Sequence, residues 1–265
     1  FNQALTLDPT LALAAFNRGA SQDAACLFTE AESSYRLALK LQPDMLTAEN
    51  NLGNVLKYQG RLDEAIACFR KALRQRPNYM VAHTNLLLAM QCDPSATPEE
   101  LLLEHREWNV RHAAPLGSAA VASVVPLAGN DRDDSRPLRV GFVSPDLGAH
   151  PVGRFLIAAF EQLDPSRVET FCYSDRKHPD AITDRFEATA SHWCETRLLS
   201  DEQLADRIRG DQLDLLIDLT GHTGHHRLLV FARQPAPVQA SWLGYAGTTG
   251  LDAIDWLIAD PFLIP

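Results

Sequence analysis

RVGFVSPDLGAHPVGR, residues 139–154, is the stretch on which the reading of this chain turns. It opens as an apolar run, breaks at Ser144, Pro145 and Asp146, turns through Gly148, and delivers His150 and Pro151 into a helix start. A buried strand followed by a loop and a helix start is where α/β proteins commonly place a ligand site. The chain changes character here, from helical and repetitive to alternating strands and helices.

Downstream, residues 139–144, 169–174, 213–220, 238–243 and 256–259 have the pattern of strands, several nearly all apolar. Helices are expected between them at 152–163, 180–190, 201–209 and 226–233. This alternation predicts a parallel sheet covered on both faces, a Rossmann-like α/β domain. No G-x-G-x-x-G follows the first strand, so a dinucleotide cofactor gains no support.

Upstream, Pro9, Pro43 and Pro77 recur at intervals of 34 residues, as do Ala4, Ala38 and Ala72 and the aromatic set Phe1, Tyr35 and Phe69. Leu52, Gly53, Leu56, Ala65, Phe69, Ala72 and Pro77 fall at the offsets of a tetratricopeptide repeat. The repeat before it keeps Gly19, Ala31, Tyr35, Ala38 and Pro43. Small residues at Gly53 and Ala65 let paired helices approach, Phe69 fills the groove they leave, and proline ends the second helix. A helix at 79–91 closes the array, giving one incomplete repeat, two full ones and a closing helix. Three or more repeats are normally needed for stability, so part of the array is expected upstream of Phe1.

Asn17, Asn51 and Asn85 ride on the same period, on the first helix of successive repeats. Amide side chains carry donors and acceptors, so a ladder of them suits an extended peptide backbone whatever its sequence. The plainer alternative is that each amide satisfies a neighbouring carbonyl inside the array.

Residues 97–115 suggest one amphipathic helix, with Thr97 as N-cap, Pro98 at the first helical position and Glu100 close behind. Residues 117–137 are small, polar and charged, the composition of a linker. The expected domains are therefore an α-solenoid at 1–93, a connecting helix and linker at 94–136, and the α/β domain at 137–265. Asp131, Arg132 and Asp133 form a D-x-D pattern of the kind that can hold a metal, but no strand precedes it.

A net charge of −10 argues against a protein whose business is gripping a phosphate backbone, so no nucleic-acid partner is expected. Five cysteines, odd in number and without a C-x-x-C pair, are expected to be mostly buried thiols of a reducing compartment, the cytoplasm. No apolar run reaches the length of a membrane span and no signal peptide opens the chain. The chain enters at Phe1 in the middle of a helical pattern, as a fragment would.

Loops at the carboxyl ends of the strands should share one crevice. They supply Asp146 and His150, then Gly221, His222, Thr223, His225 and His226, then Gly244, Tyr245, Gly247 and Thr248. His150 precedes a proline suited to the first helical position, which puts its ring at a helix N-terminus. The positive end of that helix disfavours imidazolium and favours the neutral ring a base must be, while Asp146 acts in the opposite direction. His222, His225 and His226 lack a standard ligand spacing and an acidic or thiol partner, so no metal is assigned.

LRVGFVSPDLGAHPVGRF, LIDLTGHTGHHRL and RQPAPVQASWLGYAGTTGLDAIDWLIADP resemble the amino-terminal catalytic half of the protein O-GlcNAc transferases and their Spindly-type relatives. The preceding array is similar to that family's other half. The resemblance implies a GT-B architecture with a nucleotide-sugar in the cleft between two lobes, of which this chain carries the first. It implies inverting, metal-independent transfer from UDP-GlcNAc, a substrate rather than a cofactor, to Ser or Thr of acceptor proteins bound along the array.

In the same resemblance His150 matches the active-site histidine of a D-x-x-x-H-P motif, Asp146 its acidic residue, and His105 a second histidine at the cleft. Leu243, Gly244 and Tyr245 match a loop near the donor sugar, with Pro151 and His222 on the donor side as well, and Asn17, Asn51 and Asn85 stand where acceptor peptide would bind. The sequence departs from the family at Pro265, before the second lobe and its diphosphate-stabilising residue, so this stretch alone is expected to be inactive. Val152 stands where the animal enzymes have a hydroxyl residue. The competing functions are O-fucosyl transfer from GDP-fucose, which the Spindly-like GHT run suggests, and a non-catalytic tetratricopeptide scaffold.

Overall fold

Small residues set against large rings build the first half of the computed structural model, which describes residues 1–121 and 136–260. The chain forms two compact units, Phe1–Glu104 and His105–Pro265. In the first, helices α1 (Asn2–Leu7), α2 (Ala12–Ala24), α3 (Phe28–Leu41), α4 (Leu46–Tyr58), α5 (Leu62–Gln75) and α6 (Met80–Cys92) follow one another through short turns. Ala15, Ala31, Ala38, Ala48, Ala65 and Ala72 are fully buried, as the repeat pattern requires. A Cβ added to Gly19 would lie 2.8 Å from the Tyr35 ring, and one added to Gly53 would lie 2.6 Å from the Phe69 ring. Each glycine is thus the space its aromatic partner occupies.

Helix α7 (Pro98–Trp108) starts at the expected Thr97 cap: Thr97 N–H donates to Glu100 Oε2 at 2.9 Å and Glu100 N–H to Thr97 Oγ1 at 3.2 Å. The division between units falls inside this helix: Leu101 packs on the array core, while His105 and Trp108 join rings of the second unit. A π-helical turn, Asn109–Ala113, then leads into α8 (Ala114–Val121). The helix therefore continues into the stretch expected to be linker from residue 117, since its alanines favour helix as readily as linker. The Asp131-Arg132-Asp133 pattern lies outside the described residues.

In the second unit β1 (Leu138–Ser144), β2 (Val168–Ser174), β3 (His192–Glu195), β4 (Leu215–Asp218), β5 (Val238–Trp242) and β6 (Trp256–Ile258) form one sheet in the order β3-β2-β1-β4-β5-β6. Every neighbouring pair is parallel. Helices α9 (Pro151–Phe160), α10 (Ala181–Thr189), α11 (Asp201–Gly210) and α12 (Leu228–Phe231) fill the connections. Phe142, Phe160 and Phe186 stack edge to face at 5.5 and 5.2 Å between centroids and anchor one face of the sheet. Strand β3 is an addition to the sequence reading. Its four residues, HWCE, carry no apolar run and hold their place by backbone pairing with Phe171 to Ser174.

All five cysteines are free, but the expectation that most are buried fails: Cys26 and Cys92 are exposed, Cys68 and Cys194 intermediate, and Cys172 alone is buried. Cys26 lies in the turn after α2, while Cys68 on α5 packs against the edge of the array core.

Replacing Gly53 by Val should destabilise the array by about 1–3 kcal/mol through overpacking against Phe69, and adding Phe69→Leu should restore part of the loss. Urea unfolding of the single and double variants measures this; equal stability of G53V and wild type would refute the close contact.

Candidate functional site

The strand order reverses between β1 and β4, so the loops that leave them part and open a crevice at the carboxyl edge of the sheet. The first loop is held from within: Asp146 N–H donates to the buried Ser144 Oγ at 2.9 Å, Gly148 N–H to Asp146 O at 2.8 Å and His150 N–H to Gly148 O at 2.7 Å. Gly153 on α9 lets the loop lie against the helix, since a Cβ there would fall 2.2 Å from Gly148 O. Asp180, ion-paired with Arg176, also accepts Ala149 N–H at 2.9 Å. These bonds, with Ala149 N–H the leading cause, hold the Asp180 carboxyl down at about 2.

This bracing delivers His150 as the N-cap of α9 with Pro151 in its first turn. Its Nδ1 accepts from Val152 N–H at 3.4 Å and lies 3.6 Å from Asp146 Oδ2. The two contacts ask for different tautomers. Capping needs a lone pair on Nδ1 and leaves the proton on Nε2, whereas a proton on Nδ1 can turn to Asp146 and free the Nε2 lone pair. Burial pushes the Asp146 carboxyl above its ordinary range, with His150, Arg176 and His225 opposing.

The second loop depends on Asp218, 1% exposed at the end of β4. Its carboxylate accepts Thr220 N–H at 3.1 Å, Gly221 N–H at 2.9 Å and the Ser241 hydroxyl at 3.1 Å. Burial still wins, and the carboxyl is pushed up to about 6 against those three bonds. Gly221 has φ +56, and a Cβ on Gly244 would fall 1.8 Å from Leu219 O, so the loops after β4 and β5 touch backbone to backbone. Leu243, beside it, is bent to φ 68 and more than a third exposed.

Behind these loops sits a cluster of rings. His105 Nε2 lies 2.8 Å from the Tyr245 hydroxyl, and His222 Nε2 donates to the Thr249 carbonyl at 2.7 Å. The His222 ring packs edge-on against His105, Trp108 and Tyr245 at centroid distances of 5.1, 4.8 and 5.6 Å. His105 is 1% exposed and His222 fully buried, so neither ring reaches solvent. Burial pushes His226 down to about 4, which keeps it neutral. Among the described residues no group of His, Cys, Asp and Glu is arranged to hold a metal ion.

Sequence-assigned residues thus separate into a crevice wall, Asp146, His150 and Pro151; a bent loop, Leu243 and Gly244; and an inner cluster, His105, His222 and Tyr245. Asn17, Asn51 and Asn85 lie in the first unit. There Asn85 Nδ2 donates to Asn50 Oδ1 at 2.9 Å, Asn50 Nδ2 to Asn51 Oδ1 at 3.2 Å, and Asn51 Nδ2 to the Tyr35 hydroxyl at 3.3 Å. Two of the three periodic amides are therefore tied to one another through Asn50, off the 34-residue period. Asp218 escaped sequence reasoning because a lone carboxylate closing an apolar strand looks like the strand's end. Trp108 escaped it because nothing in sequence links it to His222.

A tetratricopeptide array followed by a Rossmann-like lobe with a histidine and an aspartate at its switch-point crevice is the architecture of a GT-B glycosyltransferase's amino-terminal portion. The comparisons narrow this: residues 124–265 match the model of Glycosyl transferase family 41, and 47–79 match the Tetratricopeptide repeat model. The chain belongs to glycosyl transferase family 41.

A probable UDP-N-acetylglucosamine–peptide N-acetylglucosaminyltransferase SPINDLY of Solanum lycopersicum is 34% identical over 68% of this chain and 19% of its own length. The protein of the same activity called SEC, from Arabidopsis thaliana, is 36% identical over 48% of this chain and 13% of its own. A mutant form of the Thermobaculum terrenum O-GlcNAc transferase superposes with a TM-score of 0.86 at 36% identity, over 97% of this chain and 48% of that one. The chain thus spans about a fifth of the first of these relatives and about half of the solved structure.

The raised Asp218 carboxyl has a defined pH signature. Its folded value, about 6, lies above the ordinary 3.8, so its contribution to stability is full below about 3.8 and is lost as pH rises through about 6. The stability of wild type minus that of Asp218→Asn, which cannot titrate, should therefore fall between pH 4 and 7. Urea unfolding across that range reads the difference, and a flat profile would count against the buried carboxylate.

Proposed function

We propose that the protein carrying this chain transfers N-acetylglucosamine from UDP-GlcNAc to Ser or Thr hydroxyls of acceptor proteins, in the cytoplasm, with the repeat array holding the acceptor. The observation that carries the reading is His150, placed with Asp146 at the switch-point crevice of a family 41 lobe. No described helix is long and apolar enough to cross a membrane.

In this reading the acceptor oxygen attacks the anomeric carbon as the bond from that carbon to the diphosphate breaks, inverting the centre, and the hydroxyl proton leaves. The reading assigns to His150 the part of receiving or orienting that proton. With Nδ1 turned to Asp146, Nε2 offers its lone pair to the hydroxyl; with Nδ1 capping α9, Nε2–H is a donor that orients the oxygen instead. Asp146 biases the first state. His105, His222 and Tyr245 are positioning residues, stacked behind the loops that carry the crevice. The donor diphosphate needs charge stabilisation as it departs, which the reading assigns to the second lobe. Asn17, Asn51 and Asn85 are assigned to the acceptor backbone, the amide pair at 51 and 85 being already oriented through Asn50.

In the full protein His150→Ala should lower transfer by about 10²–10⁴-fold, the range of a positioned acid or base. Unchanged transfer would remove His150 from the reaction. Labelled UDP-GlcNAc and GDP-fucose, offered separately, test the donor; incorporation of fucose alone would sink the GlcNAc assignment. Replacing Asn17, Asn51 and Asn85 together by Ala should raise the acceptor KM for extended protein substrates while leaving the KM of the donor alone.

A further inference from the structure

Loops from four neighbouring strands, β3, β2, β1 and β4, line an open pocket of about 580 Å³ in the second unit. Its two covered arginines are ion-paired within the pocket wall. Arg227 holds Asp175 through donors at 2.6 and 2.9 Å and reaches Asp201 at 2.9 Å, and Arg176 is ion-paired with Asp180. Two further cations line the pocket on adjacent loops, Lys177 after β2 and Arg197 after β3. Both are exposed, and neither has an acidic partner among the described residues. In a chain of net charge −10, long-range attraction of anions is weak, so these two charges act locally.

Asp146 and Pro145 line the same pocket, which connects it to the wall that carries His150. We infer that the pocket is a subsite for an anionic group, a carboxylate or a phosphate, carried by the acceptor chain beside the hydroxyl that is modified. The inference rests on the transferase reading above. A donor diphosphate seated here would bring its charges against Asp146. A single anionic side chain can instead pair with Lys177 and Arg197 at the exposed edge, and 580 Å³ leaves room for the chain that carries it. Arginine can hold either anion with two parallel hydrogen bonds, and lysine adds a mobile point charge.

The test uses the full protein and fluorescent acceptor peptides that differ at one flanking position, Glu, phosphoserine or Gln, with that position scanned to either side of the hydroxyl. Anisotropy without donor gives each affinity. The wild type should prefer Glu or phosphoserine to Gln, and Lys177→Ala with Arg197→Ala should cut that preference about tenfold, as loss of charge-assisted hydrogen bonds would. A gain with Glu alone assigns the pocket to carboxylates, and with phosphoserine alone to phosphates. No preference in the wild type, a preference untouched by the double variant, or a weakened affinity for UDP-GlcNAc in its place each overturns the subsite. Binding is read without turnover, so a wild type that transfers no sugar would sink the transferase reading separately from the anion preference.

Discussion

All six described strands of the second unit run the same way, so each delivers its carboxyl end to one edge, and the reversal of order between β1 and β4 parts the loops there. The loops that carry Asp146 and His150 hang from that edge. The two loops are nevertheless joined at their roots, where the buried Thr220 hydroxyl meets Ser144 Oγ at 3.4 Å. Ser144 fixes the start of one loop and Asp218 the start of the other. The crevice is therefore open at its mouth and hydrogen-bonded at its base, which holds a histidine side chain in place without closing over it.

Behind that base the fold uses rings and glycines in complementary ways. Gly244 lets its backbone touch that of Leu219, Gly221 makes room for the Tyr245 side chain, and the space beneath is filled by His105, Trp108, His222 and Tyr245. Histidine is an economical filler here because each ring packs edge-on while a nitrogen bonds a fixed partner, Tyr245 for His105 and the Thr249 carbonyl for His222. The first unit obeys the same logic on a 34-residue period, with Gly19 and Gly53 cleared for Tyr35 and Phe69.

Periodicity made the array legible, and apolar runs made five of the six strands legible, because both patterns are local. The loops announced themselves through Gly148, Gly221 and Gly244. What stayed hidden depends on contacts distant in sequence: Tyr245 meets His105 across 140 residues, and β3 exists because β2 offers it an edge. Helix α8 was missed for another reason, since alanine-rich sequence fits helix and linker alike. The Asn ladder was visible as a period, but its bonding runs through Asn50, a residue off that period.

His150 is also a structural part of α9, and that has an evolutionary side. Histidine is an ordinary choice for capping a helix, and Ser, Asp or Asn would hold Val152 N–H better. Drift toward stability alone would thus tend to replace it, since the helix gains from the very exchange that strips the crevice of its ring. The cap of α9 and the ring at the crevice thus make opposing demands on one side chain.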